Sequence, residues 1–151
     1  MILQMTRRLG ALTLLVVGAV HLQQYLGADY NVVPTIGPLF LLNAISSGLV
    51  GFALLAPAQR LVSDKRADLV SGVLAAAGVA IALGSLVALF ISETGTLFGF
   101  AEDGYGTAIV IAIVAEAATV LLLAPVAAIS VRRASSQRGP RHAGVTYPSS
   151  P

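Results

Sequence analysis

Residues 69–92 read LVSGVLAAAGVAIALGSLVALFIS, an unbroken run without one charged side chain. As a helix rising about 1.5 Å per residue, such a run exceeds the roughly 30 Å hydrocarbon core of a bilayer. Its Ala and Gly content makes poor helix material in water. In lipid every backbone N–H and C=O must be paired internally, so a helix is the only open-chain solution there. Outward from this run, three more of comparable length occupy residues 9–28, 36–56 and 105–131, and within all four limits the only acidic or basic residue, histidine aside, is Glu116. The expected fold is an all-α integral membrane protein. Because the connections are short, sequential helices must be antiparallel neighbours, which gives an up-down bundle of four transmembrane helices.

Composition agrees. With 56% hydrophobic and 11% charged residues and a mean hydropathy of +0.86, the chain has too few polar groups to cover the surface of a soluble domain. Cysteine is absent, which excludes disulfides, thiolate metal sites and thiol nucleophiles. The pI of about 9.4 accompanies a net charge of only +2, and most basic residues flank the apolar runs, so nucleic acid is not an expected partner.

The placement of charge sets an orientation. Arg7 and Arg8 precede the first run, Arg60, Lys65 and Arg66 lie between the second and third, and Arg132, Arg133, Arg138 and Arg141 follow the fourth. Every Lys and Arg is therefore on one side, and the other carries Asp29, Glu93, Glu102 and Asp103. The positive-inside rule puts both termini in the cytoplasm. Eight arginines to one lysine, with abundant Ala, Gly and Val, indicate a GC-rich genome, and the chain resembles small inner-membrane proteins of actinobacteria. That resemblance implies the bacterial plasma membrane as its location and carries no mechanism.

The first run is the weakest. Its uninterrupted apolar part ends at Val20, and Arg7-Arg8 with the small residues Val17-Gly18-Ala19 also suits a cleaved signal peptide. No signal-like polar segment follows Ala19 at once, so retention as a helix is the expectation. Pro34 and Pro38 fall before and within the first turn of the second helix, where a missing N–H costs nothing. Ser63 or Asp64 is placed to cap a turn before the third run, Asp103 to receive early N–H groups of the fourth, and Pro125 to bend that helix. Residues 132–151, rich in Ser, Pro, Gly and Arg, read as a disordered basic tail whose proximal arginines meet anionic lipid of the inner leaflet.

Lipid removes the hydrophobic drive between helices, so small residues that admit close packing carry more of the assembly. Gly72, Ala76, Ala80 and Gly84 recur at intervals of four in the third run; Gly48 and Gly51 stand in the second, beside Asn43 and Ser47. The interval of four overshoots a helical turn by about 40°, so the row winds round the helix and serves different neighbours at its two ends.

One polar constellation stands out. His21, Asn43 and Ser85 each lie seven residues from the outer end of their runs, about 10 Å deep, and Glu116 lies eleven from Tyr105, about 16 Å, or about 10 Å where the membrane part of the fourth run begins around Ile109. A carboxylate in hydrocarbon is costly and should face the interior, protonated or paired with His21. Proton or ion handling and a neutral packing pin are equally compatible with that position. His21 alone supports haem poorly, since two-His ligation would need a second chain, and Tyr25 four residues on suggests instead an interfacial His–Tyr pair. No phosphate loop, zinc-protease motif, nucleophile elbow or lipidation signal occurs, so no catalytic residue, metal or cofactor is expected. The leading expectation is a non-enzymatic accessory or assembly subunit that packs against other membrane subunits or itself. The rival is a small oligomeric proton-coupled or ion-conducting channel or transporter built on Glu116.

Reporter fusions test the orientation. Fusions after Pro151 and between Arg60 and Asp68 are expected to report cytoplasm, and fusions at Asp29 or Gly99 the opposite side. A C-terminal reporter active outside the cell would overturn the four-span reading.

Overall fold

The computed structural model describes residues 1–57, 64–100 and 106–136. Its elements are α1 (Ile2–Gly27), α2 (Ile36–Leu55), α3 (Asp64–Thr94) and α4 (Thr107–Ser136), with a single 3-10 turn at Tyr30–Val32 between the first two. All four helices are long and apolar enough to cross a membrane. α1 touches α2 and α4, α4 touches α3, and α3 closes the ring on α2 more loosely.

Three of the helices, α1, α3 and α4, outrun their apolar stretches, whereas α2 matches its own. α1 starts seven residues before Leu9, α3 starts at Asp64, and α4 continues through Arg132 and Arg133 to Ser136, so residues 132–136, expected within a disordered tail, are helical. Helical hydrogen bonding does not stop where hydrocarbon does; charged and Ser residues extend a helix readily once its preceding turns are fixed. The remaining tail, the proposed caps Ser63 and Asp103, and Arg60 lie outside the described residues. α2 is delimited by backbone chemistry: Thr35 takes a left-handed φ of 67°, and Ala56 is extended before Pro57. Pro125 sits within α4 and on its exposed face.

α1 and α3 run in the same direction with a fixed offset. Arg7 bonds to Ser71 and His21 to Ser85, and between these links Leu14 meets the space above Gly78. The offset is sixty-four residues at all three levels. Ala11, Leu14, Leu54, Ala75, Leu123 and Val126 form the apolar core between the two polar links. Leu123, fully buried, fills the room left by two glycines: a Cβ on Gly10 would stand 2.5 Å from its Cδ2, and one on Gly78 2.7 Å from its Cδ1. The Thr13 and Thr119 hydroxyls, 2.9 Å apart, tie α1 to α4 one turn nearer the Tyr30 end.

The six small residues singled out by spacing have different surroundings. Gly51 lies against Leu15 and the Ala11 carbonyl of α1, and Gly72 against Ser130 and Val131 of α4. Ala76, Ala80 and Gly84 are exposed, and a Cβ on Gly48 or Gly84 would meet nothing within 4 Å. Gly10, Gly18 and Gly78 make close approaches that the interval of four did not single out.

These spaces predict opposite responses to one methyl group. Gly78→Ala is expected to destabilise the protein by about 1 to 3 kcal/mol, because buried Leu123 and Leu14 cannot both retreat. Gly84→Ala is expected to be neutral or slightly stabilising, by up to about 1 kcal/mol. Thermal unfolding in mild detergent compares them; equal midpoints would refute this packing.

Candidate functional site

At the Tyr30 end of the bundle three of the four predicted polar residues converge. His21, on α1, is 7% exposed; its Nδ1 lies 2.9 Å from the Val17 carbonyl and its Nε2 3.0 Å from Ser85 Oγ on α3. Glu116, on α4, is 1% exposed, with Oε1 3.9 Å from His21 Nε2 and without a hydrogen-bond partner. Helical offset explains the meeting: the α1–α3 register that aligns Arg7 with Ser71 brings His21 to Ser85 four turns later, and antiparallel α4 supplies Glu116 at that height.

The hydrogen-bond chemistry restricts the proton positions. A carbonyl only accepts, so His21 Nδ1–H donates to Val17 O. In the neutral ring Nε2 then accepts from the Ser85 hydroxyl. The serine oxygen keeps acceptor capacity for a protonated Glu116, whose carboxyl it adjoins. Moving one proton from the carboxyl to Nε2 makes an ion pair of the same residues, with the serine between them. Binding of any electrophile at Nε2, haem iron included, requires displacement of Ser85.

Asn43 is placed differently. Its Oδ1 accepts from Ser47 Oγ at 3.0 Å on its own helix, and the residue lines a neighbouring cavity. Tyr25 is half-buried, and His21 packs instead against Phe40, with ring centroids 5.1 Å apart. His21 is thus a buried histidine under an aromatic cover, on the helical face turned to Ser85 of α3.

Two cavities meet at His21 and Ser85. One, of about 90 Å³, is lined by His21, Gln24, Ser85, Ser92 and Glu116 among mostly apolar residues. Its roof is aromatic: Tyr30 stacks on Phe40 at 4.7 Å and takes the edge of Phe100 at 5.7 Å. Phe100 is aimed inward by a two-residue turn in which Leu97 and Phe100 exchange backbone hydrogen bonds of 2.7 and 2.9 Å. Phe98 and Gly99 both take positive φ, 54° and 82°, the geometry of a type I′ turn. Glycine accepts that conformation freely; Phe98 is strained there and projects outward, 70% exposed. The second cavity, of about 290 Å³, is a seam between α2 and α3, with Asn43, Ser46 and Ser85 among the small and apolar residues Ala80, Gly84 and Leu39.

The roof was not legible in the sequence. Tyr30, Phe40 and Phe100 come from separate elements, and nothing in linear spacing joins them. Among the described residues no cluster of His, Asp and Glu is arranged to hold a metal ion. No family model, curated protein or solved structure matches this chain at a significant level.

Proposed function

We propose that the protein is a non-enzymatic, multi-pass component of a bacterial plasma membrane, with both termini cytoplasmic, that serves as an accessory subunit of a larger membrane protein. The observation that carries this reading is the seam between α2 and α3. Where the other neighbouring helices interlock, these two leave a cavity of about 290 Å³, walled partly by Ala80 and Gly84, with the polar side chains Asn43 and Ser46 at hydrocarbon depth. Lipid tails offer an amide or hydroxyl nothing to bond. A transmembrane helix of a partner offers both close backbone approach over the small residues and a polar group for Asn43.

The chain has no native cysteine, so single cysteines are clean probes. Gly84→Cys is expected to cross-link in native membranes to a protein heavier than the 15.4 kDa chain itself. Gly84→Leu is expected to abolish copurification of that partner without lowering thermal stability, given the open space above Gly84. An adduct at twice the chain's own mass, or no adduct, overturns the accessory reading.

A second reading is favoured by the unpartnered oxygen of Glu116. A packing pin would have both oxygens bonded; this carboxyl keeps one free and lines a cavity with His21, an arrangement suited to taking up and releasing a proton. Toward the Arg7 end the interior is filled by Leu14, Leu54, Leu123 and Val126, each at most 1% exposed. The proton route of this reading is therefore a site open on one side, and passage across needs a second conformation or a second chain. In vesicles under a pH gradient, the wild type should dissipate the gradient faster than empty vesicles, and Glu116→Gln should abolish the excess while remaining folded. Equal flux through both removes this reading.

A further inference from the structure

The opposite end of the bundle holds a buried cation that the Glu116 site does not use. Arg7 is 8% exposed, although it belongs to a residue type almost never buried without a partner. Its Nη1 donates to Ser71 Oγ at 3.2 Å, and its Nε, also buried, has no hydrogen-bond partner. A guanidinium presents its donors as a planar fork, and the edge formed by Nε and the adjoining Nη2 matches two oxygens of a carboxylate or phosphate. In Arg7 the bond to Ser71 is made by Nη1, on the other side of the fork, and Nε on that edge is without a hydrogen-bond partner.

The side chain lines a wide, open-mouthed cavity of about 780 Å³ bordered by the N-terminal turns of α1, the start of α3 and the last turns of α4. The polar groups around it are Ser71, Ser130, Thr6, Gln4, Arg133 and Asp68. Arg133 is exposed at the rim and Ser130 is buried. Asp68 is itself engaged in an interaction. Two guanidinium groups against one carboxylate leave a surplus positive charge, and the hydroxyls supply further donors. Pro125, Val126 and Ile129 give the same cavity an apolar wall along α4.

We propose that this cavity binds a phosphate group, held bidentately by the Nε edge of Arg7 and from the rim by Arg133. The apolar wall continuing from the cavity into the membrane-spanning part of α4 suits the acyl chains of a lipid whose headgroup carries that phosphate, and the cytoplasmic placement of this end rests on the orientation proposed above. Basic pockets between transmembrane helices on that side are a recurrent form of headgroup recognition. The site differs from diffuse attraction of anionic lipid to the basic tail, because its decisive cation is buried among three helices.

The full-length protein in mild detergent is titrated with phosphatidylglycerol, with phosphatidylcholine and with inorganic phosphate, and read by native mass spectrometry and by thermal shift. One phosphatidylglycerol per chain is expected to be retained, with affinity at least tenfold weaker in Arg7→Gln and clearly weakened in Arg133→Gln. Arg132→Gln, one residue away but outside the cavity, should bind as the wild type does. Binding of phosphatidylglycerol alone assigns the phosphate to an anionic lipid; binding of phosphatidylcholine as well assigns it to phospholipid generally, and competition by inorganic phosphate to a soluble source. Equal losses in Arg132→Gln and Arg133→Gln, or no retained ligand with any of the three probes, overturn the site. Should Arg7→Gln fail to fold, the contrast between Arg132 and Arg133 still decides. Reporter fusions that reversed the membrane orientation would separately remove the cytoplasmic assignment without touching the binding result.

Discussion

Leu123 occupies the space that two glycines leave, and the remainder of the bundle is aligned by that contact. With Gly10 of α1 and Gly78 of α3 both closed on one fully buried side chain of α4, the three helices cannot slide past one another without opening a void or forcing a clash. Lipid is as apolar as the core, so burial alone would not fix this register; dense contact does. Fixing it at mid-height sets the partners at both ends, which is why Arg7 meets Ser71 and His21 meets Ser85 at one common offset.

Those end links place two ionisable residues where neither water nor lipid can solvate them well. A polar group taken from water without replacement bonds is destabilising by a few kcal/mol, roughly 2 to 7 depending on the reference. Both sites nevertheless leave one atom unpaired, Nε of Arg7 and Oε1 of Glu116, and in each case the residue borders a cavity. A bundle selected for stability alone would have no use for such atoms. They lie about 21 Å apart along the helices, taking about 1.5 Å per residue over the fourteen between Arg7 and His21, with the apolar core between them. Among the described residues the molecule thus has two polar ends separated by a mainly apolar layer, in which the Thr13–Thr119 hydroxyl pair is the polar contact between α1 and α4.

The ring of helices is also uneven. Three of its sides are closed by glycine contacts, hydroxyl pairs or interlocking leucines, and the α2–α3 side is the loosest, with a cavity along it. The residues that would permit close approach there, Ala76, Ala80 and Gly84, face outward. In a membrane such a face is suited to another helix, whereas in water it would be an aggregation hazard.

The sequence by itself determined that four helices exist and where each is apolar, because hydrocarbon imposes a length and forbids unpaired backbone, and both constraints are written in consecutive residues such as 69–92. It also determined that His21 and Ser85 stand at one height along their helices, since rise per residue is constant in a helix, while Glu116 depended on where the fourth run is taken to begin. It did not determine which of several residues at one depth share a face: Asn43 has the right height, yet it lines the seam, while Tyr30, Phe40 and Phe100 close the site from three different elements. Nor did it mark Gly10 and Gly78 as the close contacts or Arg7 as buried, since a glycine or an arginine near a helix end has the same local pattern whether it meets a neighbour or solvent. Only the rotation of each helix about its own axis decides that, and this rotation is set by the packing of Leu123 among its neighbours rather than by any property of one segment.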